Sequence, residues 1–213
     1  MAKAVYSLAL DENVIRLVDA AAHRAGMSRS NYVNRVLAES VGYETAEQRI
    51  ENLFSAVENL LKEHGNLHFF NASSGMATVT GSIACRYRPK MKYAVEIYPE
   101  NGDYLGEVKI SSRTGNGYVK NAIEEFYRLW GLMEERYVSA DIPREISDGR
   151  MRRVLLRPSA HLDSADLAQA IAHYIDVFDA LINEYFTDLE SGGFSAKDLE
   201  YAFRRAFYMR PAI

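Results

Sequence analysis

Cysteine is almost absent: Cys85 stands alone in 213 residues. A lone thiol excludes an intramolecular disulfide framework and a zinc site built on several thiolates. It fits a reducing compartment, and the expected location is cytoplasmic. Long apolar runs are also missing. No window nears the roughly 18–20 apolar residues of a membrane-spanning helix, and the run Val5 to Leu10 is too short and interrupted for a signal peptide. The expectation is a soluble chain with no membrane partner. Catalytic signatures are scarce too. There is no G-x-S-x-G, no H-E-x-x-H and no P-loop lysine pattern. The histidines, His23, His64, His68, His161 and His173, lack supporting carboxylates or thiolates. The chain therefore reads as a non-enzyme with no cofactor and no metal.

What is present is ordinary globular material, 48% hydrophobic and 25% charged, with enough apolar side chain to offset ordering entropy. The length allows a small domain plus a medium one. A net charge of −4 argues weakly against bulk nucleic-acid binding. Its distribution is more informative: residues 1–43 carry five cations and four acids, and the remainder is acidic.

Val5 to Leu10 alternates, with Tyr6, Leu8 and Leu10 on one side and Val5, Ser7 and Ala9 on the other, the period of a short strand. Asp11 stands where a helix N-cap belongs, with Glu12 in the first turn. Val14, Leu17, Val18 and Ala21 make one apolar helical face, and Gly26 stops it. Ser28 caps a second helix, with Tyr32, Val33, Val36, Leu37 and Val41 on its apolar face and Gly42 at its end. Thr45 to Gln48 has the spacing of a capping box, and a third helix runs to about His64. Short strands follow over Leu67–Phe70, Met76–Thr80 and Ser82–Tyr87, and stronger ones over Met91–Tyr98 and Tyr104–Ile110. Residues 99–103 between the stronger pair have hairpin composition. A loop over Ser111–Gly117 leads into a long helix through Trp130. Residues 139–150 read as loop, Arg153–Leu156 as a further strand, and helices open at Asp163 or Ser164 and at Ser195.

These signals predict an α+β chain: a strand-helix-helix unit over 1–43, a connecting helix over 44–65, and an antiparallel sheet with packed helices over 66–213. About 43 residues is too few for one core to stabilise alone, so the first unit needs a partner. The simplest arrangement is two-fold, with two copies pairing their strands antiparallel and burying Tyr6, Leu8 and Leu10.

The string Leu8-Ala9-Leu10-Asp11-Glu12-Asn13-Val14, then Leu17-Val18, then Arg24-Ala25-Gly26-Met27-Ser28-Arg29-Ser30-Asn31-Tyr32-Val33 resembles the ribbon-helix-helix family of DNA-binding proteins (the MetJ, Arc and CopG class). The likeness covers about a fifth of the chain, Val5 to Val41. It implies a homodimer, or a higher homo-oligomer, that inserts its paired ribbon into the major groove of double-stranded DNA. It assigns Val5, Ser7 and Ala9 to base-reading positions, and Ser28, Arg29 and Ser30 to a phosphate at the start of the second helix. Free N–H groups, the helix dipole and the charge of Arg29 suit that anion, and Lys3 adds a further phosphate contact.

The family usually carries long polar or basic residues on the outward ribbon face, and this chain has Val5, Ser7 and Ala9. None makes a bidentate contact to guanine, so specificity would rest on apolar contacts, phosphate positioning and DNA shape. The first expectation is a transcriptional regulator, a repressor, whose C-terminal part senses a ligand, oligomerises or recruits a partner. The alternative is an antitoxin or partition-type protein whose C-terminal domain binds a protein partner. Elsewhere the chemistry reads as structural. The Thr114–Gly117 loop reads as a turn, Cys85 as a buried thiol in a strand, and the aromatics from Phe126 to Phe186 as core. Arg150, Arg152, Arg153 and Arg157 read as a solvated face paired with nearby acids.

Overall fold

The structure, a computed structural model, describes residues 5–62, 66–73, 75–98, 104–157, 163–208 and 213, with residues 71–73 described by backbone alone. The chain divides into two compact units, residues 1–49 and 50–213. The division falls inside the third helix.

In the first unit, residues 5–11 belong to no ladder. Among the described residues no strand pairs with the segment read as a strand over Val5 to Leu10, and a ladder needs hydrogen bonds from a neighbour. Helix α1, Glu12–Arg24, follows. Asp11 caps it by accepting the Asn13 N–H at 2.7 Å, and Glu12 and His23–Arg24 match the two ends of the dipole. Gly26, at φ +64°, takes the left-handed conformation that ends the helix. Helix α2, Arg29–Ser40, is capped by Ser28. Helix α3, Ala46–Lys62, opens on a reciprocal box. Thr45 Oγ1 accepts the Gln48 N–H at 3.1 Å, and Gln48 Oε1 accepts the Thr45 N–H at 2.9 Å.

The second unit holds an antiparallel sheet of β1 (His68–Ser73), β2 (Met76–Ser82), β3 (Lys90–Ile97), β4 (Tyr104–Arg113), β5 (Arg144–Ser147) and β6 (Arg150–Leu156). The strand order is β1-β2-β3-β4-β6-β5. Helix α4, Gly117–Tyr137, lies between β4 and β5 in the chain, and α5, Ser164–Ser191, and α6, Ala196–Phe207, follow β6. The class is therefore α+β. Alternation assigns the two sheet faces. Val79, Tyr93, Ile110 and Met151 stand opposite one another across four strands, and all are buried. The intervening row, Thr80, Lys92, Ser111 and Arg150, is exposed or half-buried. Trp130 of α4 sits at the centre of the helical layer, 4.5 Å from the Phe178 ring and 5.0 Å from the Phe203 ring. Its Nε1 donates to Tyr174 Oη at 3.0 Å. The aromatics of α4 and α5 read as core from their spacing are buried except Tyr137, which is exposed, at 37%.

Three local readings are corrected. No strand spans Ser82–Tyr87: β2 ends at Ser82, and Cys85 is buried in the bend that follows. Arg88 has a positive φ of 40° and Pro89 has no N–H to give a ladder, which breaks extension there. Residues 111–113, read as loop, extend β4. Residues 144–147, also read as loop, form the edge strand β5. Four residues with charged Arg144 and Glu145 have too little apolar alternation to announce a strand, and short charged strands are what sheet edges use. The turn read over 99–103 lies outside the described residues.

Candidate nucleic-acid interface

The first unit buries little apolar side chain for its size: in residues 5–49 the buried apolar residues are Ala22 and Ala38, with Thr45 the one buried polar residue. Many of its large apolar residues face solvent within one chain. Val5 is 99% exposed, Leu17 70% and Val41 77%, and Tyr6, Leu8, Leu10, Val14, Val36 and Leu37 are exposed as well. On the faces that the sequence marks as inward, Val18, Ala21, Tyr32 and Val33 are half-buried and the rest are exposed. Val5, Ser7 and Ala9, assigned by resemblance to base reading, are all exposed.

The start of α2 is built locally. Ser28 takes an extended conformation, φ −67° and ψ 151°, and its Oγ accepts the Asn31 N–H at 3.3 Å. The first N–H groups of the helix, those of Arg29 and Ser30, have no intrahelical acceptor. Ser28, Arg29 and Ser30 are exposed, so an anion can reach them. Arg29, however, is already engaged. Its Nε and Nη2 donate to the two carboxylate oxygens of Asp19 on α1. That pair, hydrogen bond first and charge second, holds the Arg29 guanidinium above its ordinary arginine value. A phosphate at this helix end must share Arg29 with Asp19 or displace it. Asp19 is a partner of Arg29 that local spacing does not reveal. It lies ten residues away, and only the packing of α2 against α1 brings it close.

The described residues bring Ser28, Arg29 and Ser30 together on one turn, and no hydrogen bond or ion pair links them to Val5, Ser7 or Ala9. Lys3 lies outside the described residues.

In the second unit several buried polar groups pair with one another. Arg153, read as part of a solvated basic face, is instead buried. Its Nε donates to Glu134 Oε1 at 2.9 Å, and its guanidinium lies 4.9 Å from the centre of the Tyr174 ring. Arg152 pairs with the acid Glu107, as expected of that basic cluster. Tyr93 Oη donates to Asp179 Oδ1 at 2.7 Å. Burial, and then the Asp179 charge, pushes the Tyr93 hydroxyl well up, and burial raises Asp179. Burial also lifts Tyr185, to about 12. No group of three or more His, Cys, Asp or Glu side chains with metal-binding geometry occurs among the described residues. No helix among them is long and apolar enough to cross a membrane. Comparison with known protein families, with curated proteins and with solved structures gives no match.

Proposed function

We propose that the chain is a DNA-binding transcriptional regulator, a repressor, that works as a homodimer through its first unit. The supporting observation is the bare apolar surface of residues 5–49. Two capped helices and an apolar segment without a ladder partner bury two alanines between them. A unit of this size lacks the core to stand alone. A second copy supplies both a strand for residues 5–10 and a cover for the α1 and α2 faces. The paired segment then offers Val5, Ser7 and Ala9 to the major groove, and the α2 starts take phosphates on either side.

The test is a footprint of the purified full-length protein on the DNA upstream of its own coding sequence, across a salt series. A two-fold symmetric footprint whose affinity falls as salt rises supports the reading. Small outward residues and an Arg29 already tied to Asp19 favour, as the second reading, an antitoxin or partition-type protein that binds another protein through its second unit. Weak binding without sequence preference would take the first reading away and leave the second.

A further inference from the structure

A sheet with helices on one face leaves the other to solvent, and here that open face is charged unevenly. Residues 64–95 contain no aspartate or glutamate, and within them Arg86, Arg88, Lys90 and Lys92 alternate. The period of two puts Lys90 and Lys92 on one side of β3, opposite buried Met91 and Tyr93. The register spreads the charge over neighbouring strands. Lys90 stands between Ser82 of β2 and Arg113 of β4. The next row on the same face runs His68, Thr80, Lys92, Ser111, Arg150 and Ser147 from β1 to β5. Lys90, Lys92, Arg113 and Arg150 are all exposed. No carboxylate shares their two rows, and none of the four has an ion-pair partner among the described residues. Further along the same face the pattern reverses. Lys109 is held by Glu96 at 3.1 Å and by Glu107, and Arg152 is held by Glu107 at 2.5 Å. The sheet neutralises its cations at one end and leaves them bare at the other.

We propose that this cationic end of the open sheet face binds the phosphodiester backbone of duplex DNA, as a surface additional to the first unit. The two rows present ammonium, guanidinium and hydroxyl groups, the donors that bind phosphate oxygens. They contain no phenylalanine, tyrosine or tryptophan ring, so the bases of a single strand find no broad stacking platform. They contain no large apolar side chain either, so the buried anchor at the centre of a protein–protein interface is missing. The surface therefore adds affinity without reading sequence. The choice of duplex DNA rests on the regulator reading above, whereas the uncompensated charge is independent of it.

The test compares the full-length chain with its Lys90→Gln/Lys92→Gln/Arg113→Gln/Arg150→Gln variant, and with Lys90→Gln/Lys92→Gln alone should the fourfold change fail to fold. Fluorescence anisotropy with a labelled duplex of unrelated sequence, read across a salt series, is the measurement. The slope of log affinity against log salt should fall by about 0.9 for each phosphate no longer neutralised, so by about 3–4 in the fourfold variant. An unchanged slope overturns the proposal, as does tighter wild-type binding to a single-stranded oligonucleotide, polyglutamate or phosphatidylserine vesicles than to the duplex. A Val5→Glu/Ser7→Glu variant separates the two readings. Loss of the upstream footprint in that variant, with the slope untouched by the sheet changes, sinks the sheet surface alone. A sheet-dependent slope without any wild-type footprint sinks the regulator reading and leaves the sheet surface standing.

Discussion

An arginine at the start of a helix attracts phosphate, while an arginine held by an aspartate has part of its charge already answered. Arg29 is in both positions. Asp19→Asn should release it and strengthen binding to any duplex by a few-fold. Arg29→Ala should weaken binding evenly across sequences and lower the salt slope by about 1. No effect of Arg29→Ala would remove the phosphate assignment. Glu134 and Arg153 sit at the other extreme, a pair with 1% and 2% of their side chains exposed. Breaking such a pair strands a charge in the interior, and Glu134→Gln should cost about 3–5 kcal/mol in urea denaturation. A cost near zero would mean that water reaches Arg153. Asp179 gives a pH signature. Its folded pKa is raised by burial, so its contribution to stability is fullest below the ordinary aspartate value. That contribution disappears as pH climbs through the raised one. Asp179→Asn should flatten the fall in unfolding free energy over that window, measured from about pH 4 to 7; an unchanged slope would assign the fall to other groups.

Among the elements, those with strong local signals were legible and those defined by distant partners were not. Asp11, Ser28, Thr45 with Gln48, Asp163 and Ser195 all cap the helices their spacing announces. Capping chemistry is complete within four residues. The central strands β3 and β4 were legible from their alternation. β5 was not, because a four-residue charged edge strand takes its identity from β6. The candidate site divides in the same way. The Ser28 cap and the Gly26 stop can be read locally, whereas the Arg29–Asp19 pair needs the fold, and any mate for residues 5–10 needs another chain. Gly106 marks a close approach that an isolated glycine in a strand only hints at. The register shifts between Tyr104 and Gly106, and a Cβ at Gly106 would lie 2.0 Å from the Glu96 carbonyl oxygen. That obstacle is backbone and cannot swing aside. Gly106→Ala should therefore cost about 1–3 kcal/mol or more. A wild-type melting temperature in that variant would show that β3 and β4 can shift apart.

At the scale of the whole molecule, the two units solve the burial problem differently. Residues 50–213 close a core of their own, with helices over one face of a six-stranded sheet. Residues 5–49 have capped helices and many exposed large apolar side chains. Exposed apolar surface of that kind marks an interaction site, and two-fold self-pairing is the commonest way for such a surface to be covered. The direct measurement is the mass of the full-length protein by sedimentation equilibrium at micromolar concentration, for the wild type and for Leu8→Glu/Leu10→Glu. The expected result is twice the chain mass of 24.1 kDa for the wild type and the single chain mass for the variant. A wild type that sediments as one chain, or a dimer that the two glutamates leave intact, would contradict pairing through the first unit.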